Sequence, residues 1–358
     1  MALEIYEIVN ILGFILGLAL GAVGQRNQFC FSGSIKDYIL TKSTKRGASV
    51  ILAMIVAIIS TALVSNYFEI DLTESNYYRE NINYFSIALG GAIFGIGMML
   101  ADGCSNRHLI KFAQGDINSL IVIVFTGIFA FATAKGFLNG FFAPITTNET
   151  LLQWSSIIGN ATMNIYVVVG VLLAILAFIV KKVNRLLSLW DGVLFGLFVA
   201  AAWYITGVFG AESIERIVDL EALSFVYPSG RTIELFMYYD AFYLVFPICL
   251  VLGVIIGAYL MSRINKRYSF GCTAAKGQKK VQYNMIGGAL MGTGGVLSIG
   301  CTVGQGLSGL STLAFASLVA IVSIFISATI TARILNKKDE LPMCFIFEWK
   351  DNRADYQI

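Results

Sequence analysis

The sequence predicts an all-α polytopic membrane protein of about nine transmembrane helices, in two inverted repeats with short re-entrant segments. Three observations lead there. The 358 residues are 57% hydrophobic and only 13% charged. The mean hydropathy is +0.76. A soluble domain carries about twice that share of charge, so a water-soluble core is excluded and apolar spans are expected. Lysine and arginine gather in alternate loops, and one glycine-rich segment occurs twice.

The hydrophobic spans fall at about 4–24, 47–66, 84–101, 119–138, 163–181, 190–208, 240–262, 283–299 and 311–335. Glu4 and Glu7 stand where a signal peptide would be basic, so the first span is expected to be retained. Lys36, Lys42, Lys45 and Arg46 follow the first span, and Arg107, His108 and Lys111 follow the third. Lys181, Lys182 and Arg185 follow the fifth, and Arg263, Lys266, Arg267, Lys276, Lys279 and Lys280 the seventh. Arg333, Lys337 and Lys338 follow the ninth. The other loops are acidic or neutral, with Glu69, Asp71, Glu74 and Glu80, then Glu149, then Glu212, Glu215, Asp219 and Glu221. Positive charge stays inside, which places the N-terminus outside and the C-terminus inside.

The duplicated segment is Gly90-Gly91-Ala92-Ile93-Phe94-Gly95-Ile96-Gly97-Met98-Met99-Leu100-Ala101-Asp102-Gly103-Cys104. Gly90, Gly91, Ala92, Gly95, Gly97, Leu100, Gly103 and Cys104 each recur 197 positions later, from Gly287 to Cys301. The two copies close the third and eighth spans, which run in opposite directions, the inverted design of many transporters. A weaker echo links Gly13 and Gly17 on the first span to Gly192 and Gly196 on the sixth. The whole of 1–358 therefore reads as one integral membrane domain, with halves at about 1–138 and 186–335. Residues 139–185 link them, and 336–358 form a short inner tail. Segments 25–40, 103–116, 139–158, 209–236 and 301–310 are too short to cross yet apolar and rich in glycine. Irregular backbone of this kind is tolerated in a membrane where it is buried in protein or lines a cavity, so re-entrant loops are expected there.

Three of the six cysteines lie in such segments: Cys30, Cys104 and Cys301. Each is followed by small or polar residues, Ser32 and Gly33, Ser105, and Thr302 and Gly304. A glycine-rich bend opening a short helix offers unpaired N–H groups to an anion. Gly103, Gly300, the basic Arg26 and Arg107, and the amides of Gln25 and Gln305 complete the candidate binding set. A soft thiol among anion-attracting groups suits a ligand that is both negative and polarisable through sulfur. Taken singly, these cysteines are also what close helix packing uses; the matched Gly-Cys pairs favour a site. Cys249 sits in an apolar span and reads as a packing residue. Cys272 and Cys344 have no repeat to support them. There is no Cys-x-x-Cys pair and only one histidine, His108, so no metal or cofactor is expected. Asp102 needs a partner at the end of its span, with Arg107 or Lys111 in reach. The glycines at 90, 91, 95, 97, 287, 288, 292, 294 and 295 read as close-packing positions.

Gln25-Arg26 with Phe29-Cys30-Phe31-Ser32-Gly33, then Gly103-Cys104, then Gly300-Cys301-Thr302-Val303-Gly304-Gln305-Gly306-Leu307-Ser308-Gly309, together resemble the YeeE/YedE family. The resemblance covers nearly all of the membrane region. It implies a bacterial inner-membrane protein taking up thiosulfate or a related sulfur compound. It also implies a curved, two-lobed helical fold and a row of cysteines, here Cys30, Cys104 and Cys301, that pass substrate by S–H hydrogen bonds. Family members often work beside a small cytoplasmic sulfur carrier of the TusA type; no nucleic-acid partner is expected. The second motif departs from the thiosulfate pattern at Asp102 and Arg107, and some relatives are linked to selenium. Three other readings remain at this point. A soft-metal transporter would use paired Met or Cys on one helix face, and Met98-Met99 is the only adjacent methionine pair. A membrane thiol sulfurtransferase or reductase would need an attacking cysteine beside a resolving one. A structural subunit would leave the repeated Gly-Cys without a role.

Overall fold

Residues 4–78, 82–148, 162–183, 189–213, 216–237, 244–270 and 278–341 are described by a computed structural model. Helix α1 is Ile5–Asn27. The Glu4 N–H donates to the Glu7 carboxylate at 3.3 Å, which satisfies one open donor and puts negative charge at the positive helix end. Gln28, left-handed at φ 60°, ends α1. After the extended Cys30 come α2 (Phe31–Thr41) and α3 (Lys45–Phe68). Helix α4, Tyr84–Leu100, is capped by Asn83, whose side chain accepts the Ser86 N–H at 3.1 Å. Asp102, at φ 66°, stops it, and the short α5 (Ser105–Ala113) follows. Helices α6 (Ile117–Ala134), α7 (Phe137–Thr146) and α8 (Ile165–Val183) come next. Helix α9 (Trp190–Tyr204) widens into a π turn at Ile205–Phe209. Then come α10 (Val226–Met237), α11 (Phe246–Ile264) and α12 (Gln278–Leu297). A second π turn, Gly304–Gly309, precedes α13 (Phe315–Lys337).

Each predicted span falls on a helix: α1, α3, α4, α6, α8, α9, α11, α12 and α13 in turn. Among the described residues, seven helical stretches are long and apolar enough to cross a membrane, two of them running through the breaks as Ile5–Thr41 and Tyr84–Ala113. The apolar part of α8 is shorter, and α12 opens on Gln278, Lys279 and Lys280. Ile15, Leu63, Ile128, Phe178 and Ile326 are large apolar side chains on the outer surface. In water that surface would drive aggregation; in lipid it is the ordinary boundary. The chain is a multi-pass membrane protein.

Glycines set how the helices meet. A Cβ at Gly97 of α4 would stand 2.7 Å from the Gly287 carbonyl oxygen of α12, and one at Gly294 of α12 would stand 2.6 Å from the Gly90 carbonyl of α4. Rising numbers on α4 meet falling numbers on α12, so this pair is antiparallel. Gly13 meets Phe246, and Gly21 meets Val254, so α1 and α11 run parallel. Gly192 meets Ser49 and Gly196 meets Val56, so α9 and α3 also run parallel. Likewise α4 runs with α13, through Gly91 to Ser323, and α12 with α6, through Gly288 to Phe125 and Gly292 to Phe129.

The short segments differ among themselves. In α5 every residue but Phe112 is buried, and residues 301–312 are buried throughout. Helix α7 departs from the expectation of a loop buried in protein. It is regular, it buries none of its residues, and Phe141 is 71% exposed. A helix satisfies its own backbone, so the apolar run at 137–146 needs no protein cover. Residues 149–158 of that segment, with Cys272, Cys344 and the tail beyond 341, lie outside the described residues.

Candidate functional site

All three motif cysteines stand at the start of a helical segment, and at Cys30 and Cys301 the sulfur accepts the N–H three residues on. The Gly33 N–H donates to Cys30 Sγ at 3.4 Å, and the Gly304 N–H to Cys301 Sγ at 3.3 Å. At Cys104 the N–H three residues on belongs to Arg107, and no cap hydrogen bond reaches the sulfur. The backbone reason is common to the two capped segments. An N-cap residue is extended, so its side chain swings back over the first turn and takes one of the open N–H groups. Serine or aspartate usually does this with oxygen; here sulfur does.

These helix starts converge in the core. Cys30 and Cys104 lie near one another, and Thr302 lies near Cys104. Thr302 is the neighbour of Cys301, so the third helix start adjoins the second. Phe225, just ahead of α10, lies near Cys301. Cys30, Cys104 and Cys301 are 4%, 3% and 1% exposed. Four helix starts therefore meet at one buried region, two of them capped by a thiol. Helix α10 carries Ser229-Gly230, again 197 positions after Ser32-Gly33, but no cysteine.

Several of the sequence-predicted residues join this cluster. Ser32 Oγ lies 3.0 Å from Cys30 Sγ. Gly103 makes room for His108, whose Nε2 would stand 3.2 Å from a Cβ there. The His108 ring is set by Ser119, 3.1 Å from Nδ1, and Ser119 donates to Asp116 at 2.7 Å. Ser105 Oγ is buried with no protein hydrogen-bond partner, as are Asn106 Oδ1 and Gln305 Oε1. The Gln305 Nε2 donates to the Ser298 carbonyl at 2.5 Å, and its chain packs on Gly300. Arg107 is buried near Cys30.

Two predicted residues are not brought to the thiols. Arg26 is exposed, with its guanidinium over the Trp190 ring at 5.8 Å. Gln25 is buried, but its Oε1 accepts from Asn265 Nδ2 of the α11 end at 3.0 Å. Asp102 pairs with Lys111, as its spacing suggested, and also with Lys36 of α2. Cys249 packs inside α11 and is 6% exposed.

Sequence reading missed the groups that hold the third cysteine segment. A π turn leaves carbonyls without helical partners, and Tyr77 donates its hydroxyl to the Gly304 carbonyl at 2.8 Å. Tyr78 does the same for Thr312 at 2.7 Å. Trp203 Nε1 donates to Ser311 Oγ at 3.0 Å, and Ser308 Oγ donates to the Leu223 carbonyl at 2.9 Å. The adjacent Tyr77-Tyr78 in a polar loop was the one available signal.

Known proteins were compared with the chain. The sequence model of a family described as sulphur transport matches residues 26–330. The thiosulfate transporter TsuA of Escherichia coli (strain K12) is 25% identical over 323 residues, covering 82% of this chain and 86% of that protein. The thiosulfate transporter TsuA of Spirochaeta thermophila is 24% identical over 349 residues, covering 91% and 99%. A probable transporter, YedE of Escherichia coli (strain K12), is 23% identical over 107 residues, or 30% of this chain and 25% of its own. The family match takes in all three cysteines and the helices that position them, and the chain belongs to the sulphur transport family.

Proposed function

We propose that this protein is a bacterial inner-membrane transporter that takes up a small sulfur oxyanion, foremost thiosulfate. The observation that carries the reading is the convergence of three helix starts that each bear a buried cysteine, two of them capped by the thiol. Helix N-termini favour anions through their N–H groups and dipoles, which suits the oxygens. A neutral thiol is a weak donor, which suits the terminal sulfur. Transport needs contacts strong enough to admit an ion and weak enough to release it, and S–H groups in sequence provide that. Passage from thiol to thiol is by hydrogen bonding, without a covalent intermediate. Ser32, Ser105 and Thr302 add hydroxyls along the row, and Gly33, Gly103, Gly300 and Gly304 keep the backbone within reach. The thiosulfate transporters of similar sequence support the choice of substrate.

The halves are proposed to be inverted repeats. Antiparallel α4 and α12 meet at matched glycines, and the α1–α11 and α3–α9 pairs run in parallel, as an in-plane two-fold requires. On this reading all nine spans cross, the N-terminus is outside, and the cysteine segments enter the membrane without crossing it. A TusA-like carrier on the inner side would receive the delivered sulfur. The test is growth of a thiosulfate-uptake-deficient bacterium on thiosulfate as the only sulfur source. Rescue by this chain at normal membrane levels is expected; failure with thiosulfate at every level removes the substrate.

A further inference from the structure

His108 is the chain's single histidine, 2% exposed on α5, and its two ring nitrogens meet different surroundings. Ser119 Oγ of α6 stands 3.1 Å from Nδ1 and donates its own proton to Asp116 Oδ2 at 2.7 Å. A hydroxyl has one proton to give. With that proton committed to Asp116, Ser119 can only accept from the ring, so Nδ1 carries the N–H and the neutral ring keeps its lone pair on Nε2. That nitrogen lies against the Gly103-Cys104 turn, where a Cβ on Gly103 would stand 3.2 Å from it. It is buried with no protein hydrogen-bond partner among the described residues. Buried polar atoms are nearly always paired, and packing alone would be served by an apolar ring. A basic nitrogen held open beside a motif cysteine points to a proton.

The charged groups around the ring come from several elements. Lys111 on its own helix, Lys36 on α2 and Asp102 in the preceding turn pair with one another. Arg107 precedes it in sequence, and Cys104 lies one turn before it on α5. From α6 the group is Asp116, which reaches the ring through Ser119 and also caps that helix, its Oδ1 accepting the Asn118 N–H at 3.1 Å. Helices α1 and α11 also pack on α5. Their cations there are exposed, Arg26 over Trp190 and Arg263 over Tyr259 and Tyr268. A carboxylate behind Nδ1, relayed by a hydroxyl, steadies a positive ring.

We infer that His108 carries a proton with the anion, binding it at Nε2 as the anion reaches Cys104 and releasing it from Nε2 as the anion leaves. The inference rests on the reading of the chain as an anion transporter. A dianion entering a cell that is negative inside moves against the membrane potential, so uptake needs a cation to move with it. Negative charge at the Cys104 segment favours the proton, and its departure removes that support. One proton enters with the anion from the outer side and one leaves with it inside, while Nδ1 keeps its proton throughout.

The experiment is radiolabelled thiosulfate accumulation in proteoliposomes holding the purified full chain, with potassium and valinomycin keeping the potential at zero. One proton per anion predicts that an outside more acid by one pH unit raises the accumulation ratio about tenfold. A pH dye trapped inside should report acidification when thiosulfate is added. His108→Asn keeps an N–H donor for Ser119 and lacks Nε2. It is expected to lose both the tenfold response and the acidification. A parent chain that accumulates thiosulfate equally with and without the gradient overturns the inference, as does His108→Asn with the parental response. Should His108→Asn fail to reach the membrane, Asp116→Asn decides alone, because asparagine caps a helix as well as aspartate but carries no charge. The pH at which its uptake rate is half-maximal should move down by about one unit, and an unmoved profile overturns the inference. A parent chain that takes up no thiosulfate under any gradient sinks the transport reading itself, which is a separate failure.

Discussion

Cys30, the N-cap of α2, lies close to Cys104, the N-cap of α5, at the junction where two broken spans present their helix starts. On the proposed function each sulfur donates to whatever passes, and that of Cys30 also caps its own helix. Serine separates the two roles, because it caps well but brings a shorter, harder donor. Cys30→Ser is expected to keep the unfolding temperature within experimental spread while uptake falls at least about tenfold. Cys30→Ala should lose uptake and also about 1 kcal/mol of stability, from the missing cap. Thermal unfolding in detergent beside uptake reads both. Cys249→Ala, remote from the row, should transport like the parent.

Gly97 and Gly287 let α4 and α12 cross backbone against backbone. Gly97→Val would force the helices apart, at a cost above the roughly 1–3 kcal/mol of ordinary overpacking, because the obstacle is a main-chain carbonyl. Membrane yield and unfolding temperature should both drop. Gly140→Val, on α7 where no atom stands within 4 Å of an added Cβ, should leave both unchanged. Equal behaviour of the two variants would mean that α4 and α12 do not meet as described.

Tyr77 reaches from the loop after α3 to the Gly304 carbonyl, holding the π turn that follows Cys301. Tyr77→Phe removes only that hydroxyl. It should cost about 1 kcal/mol, with the acceptor left buried, and should reduce uptake through a looser third thiol segment. Unfolding temperature and uptake rate check the two parts separately.

Much of this architecture was legible in the chain, for identifiable reasons. Span positions follow from runs of apolar residues, and nine runs coincide with nine helices. The Gly-Cys duplication marked two of the helix breaks, where the interrupted helix takes glycine and a small residue. Local pattern could not say which way a side chain faces. Arg26, beside a motif cysteine in sequence, turns outward to Trp190. Lys36 read as one of the basic loop residues and is instead buried against Asp102, a partner 66 residues away. Gly140 and Pro144 suggested irregular backbone where α7 is a plain helix. The glycines of 304–309 marked irregular backbone there, but not that it would take the form of a π turn.

Orientation has its own check. A fluorescent protein fused after Ile358 should fold and fluoresce on the inner side. Glu74→Cys, in the exposed loop after α3, should react from outside with a membrane-impermeant maleimide. The reverse pattern would turn the protein over and exchange the entry and exit ends of the thiol row.

The most direct measurement is radiolabelled thiosulfate uptake into proteoliposomes by the parent chain, Cys104→Ala and Cys301→Ala at matched protein density. Passage along the thiols predicts uptake by the parent and at least about a tenfold loss in each variant, with both still folded. Parental uptake in both variants would contradict the thiol row and leave the helix N-termini alone to carry the anion.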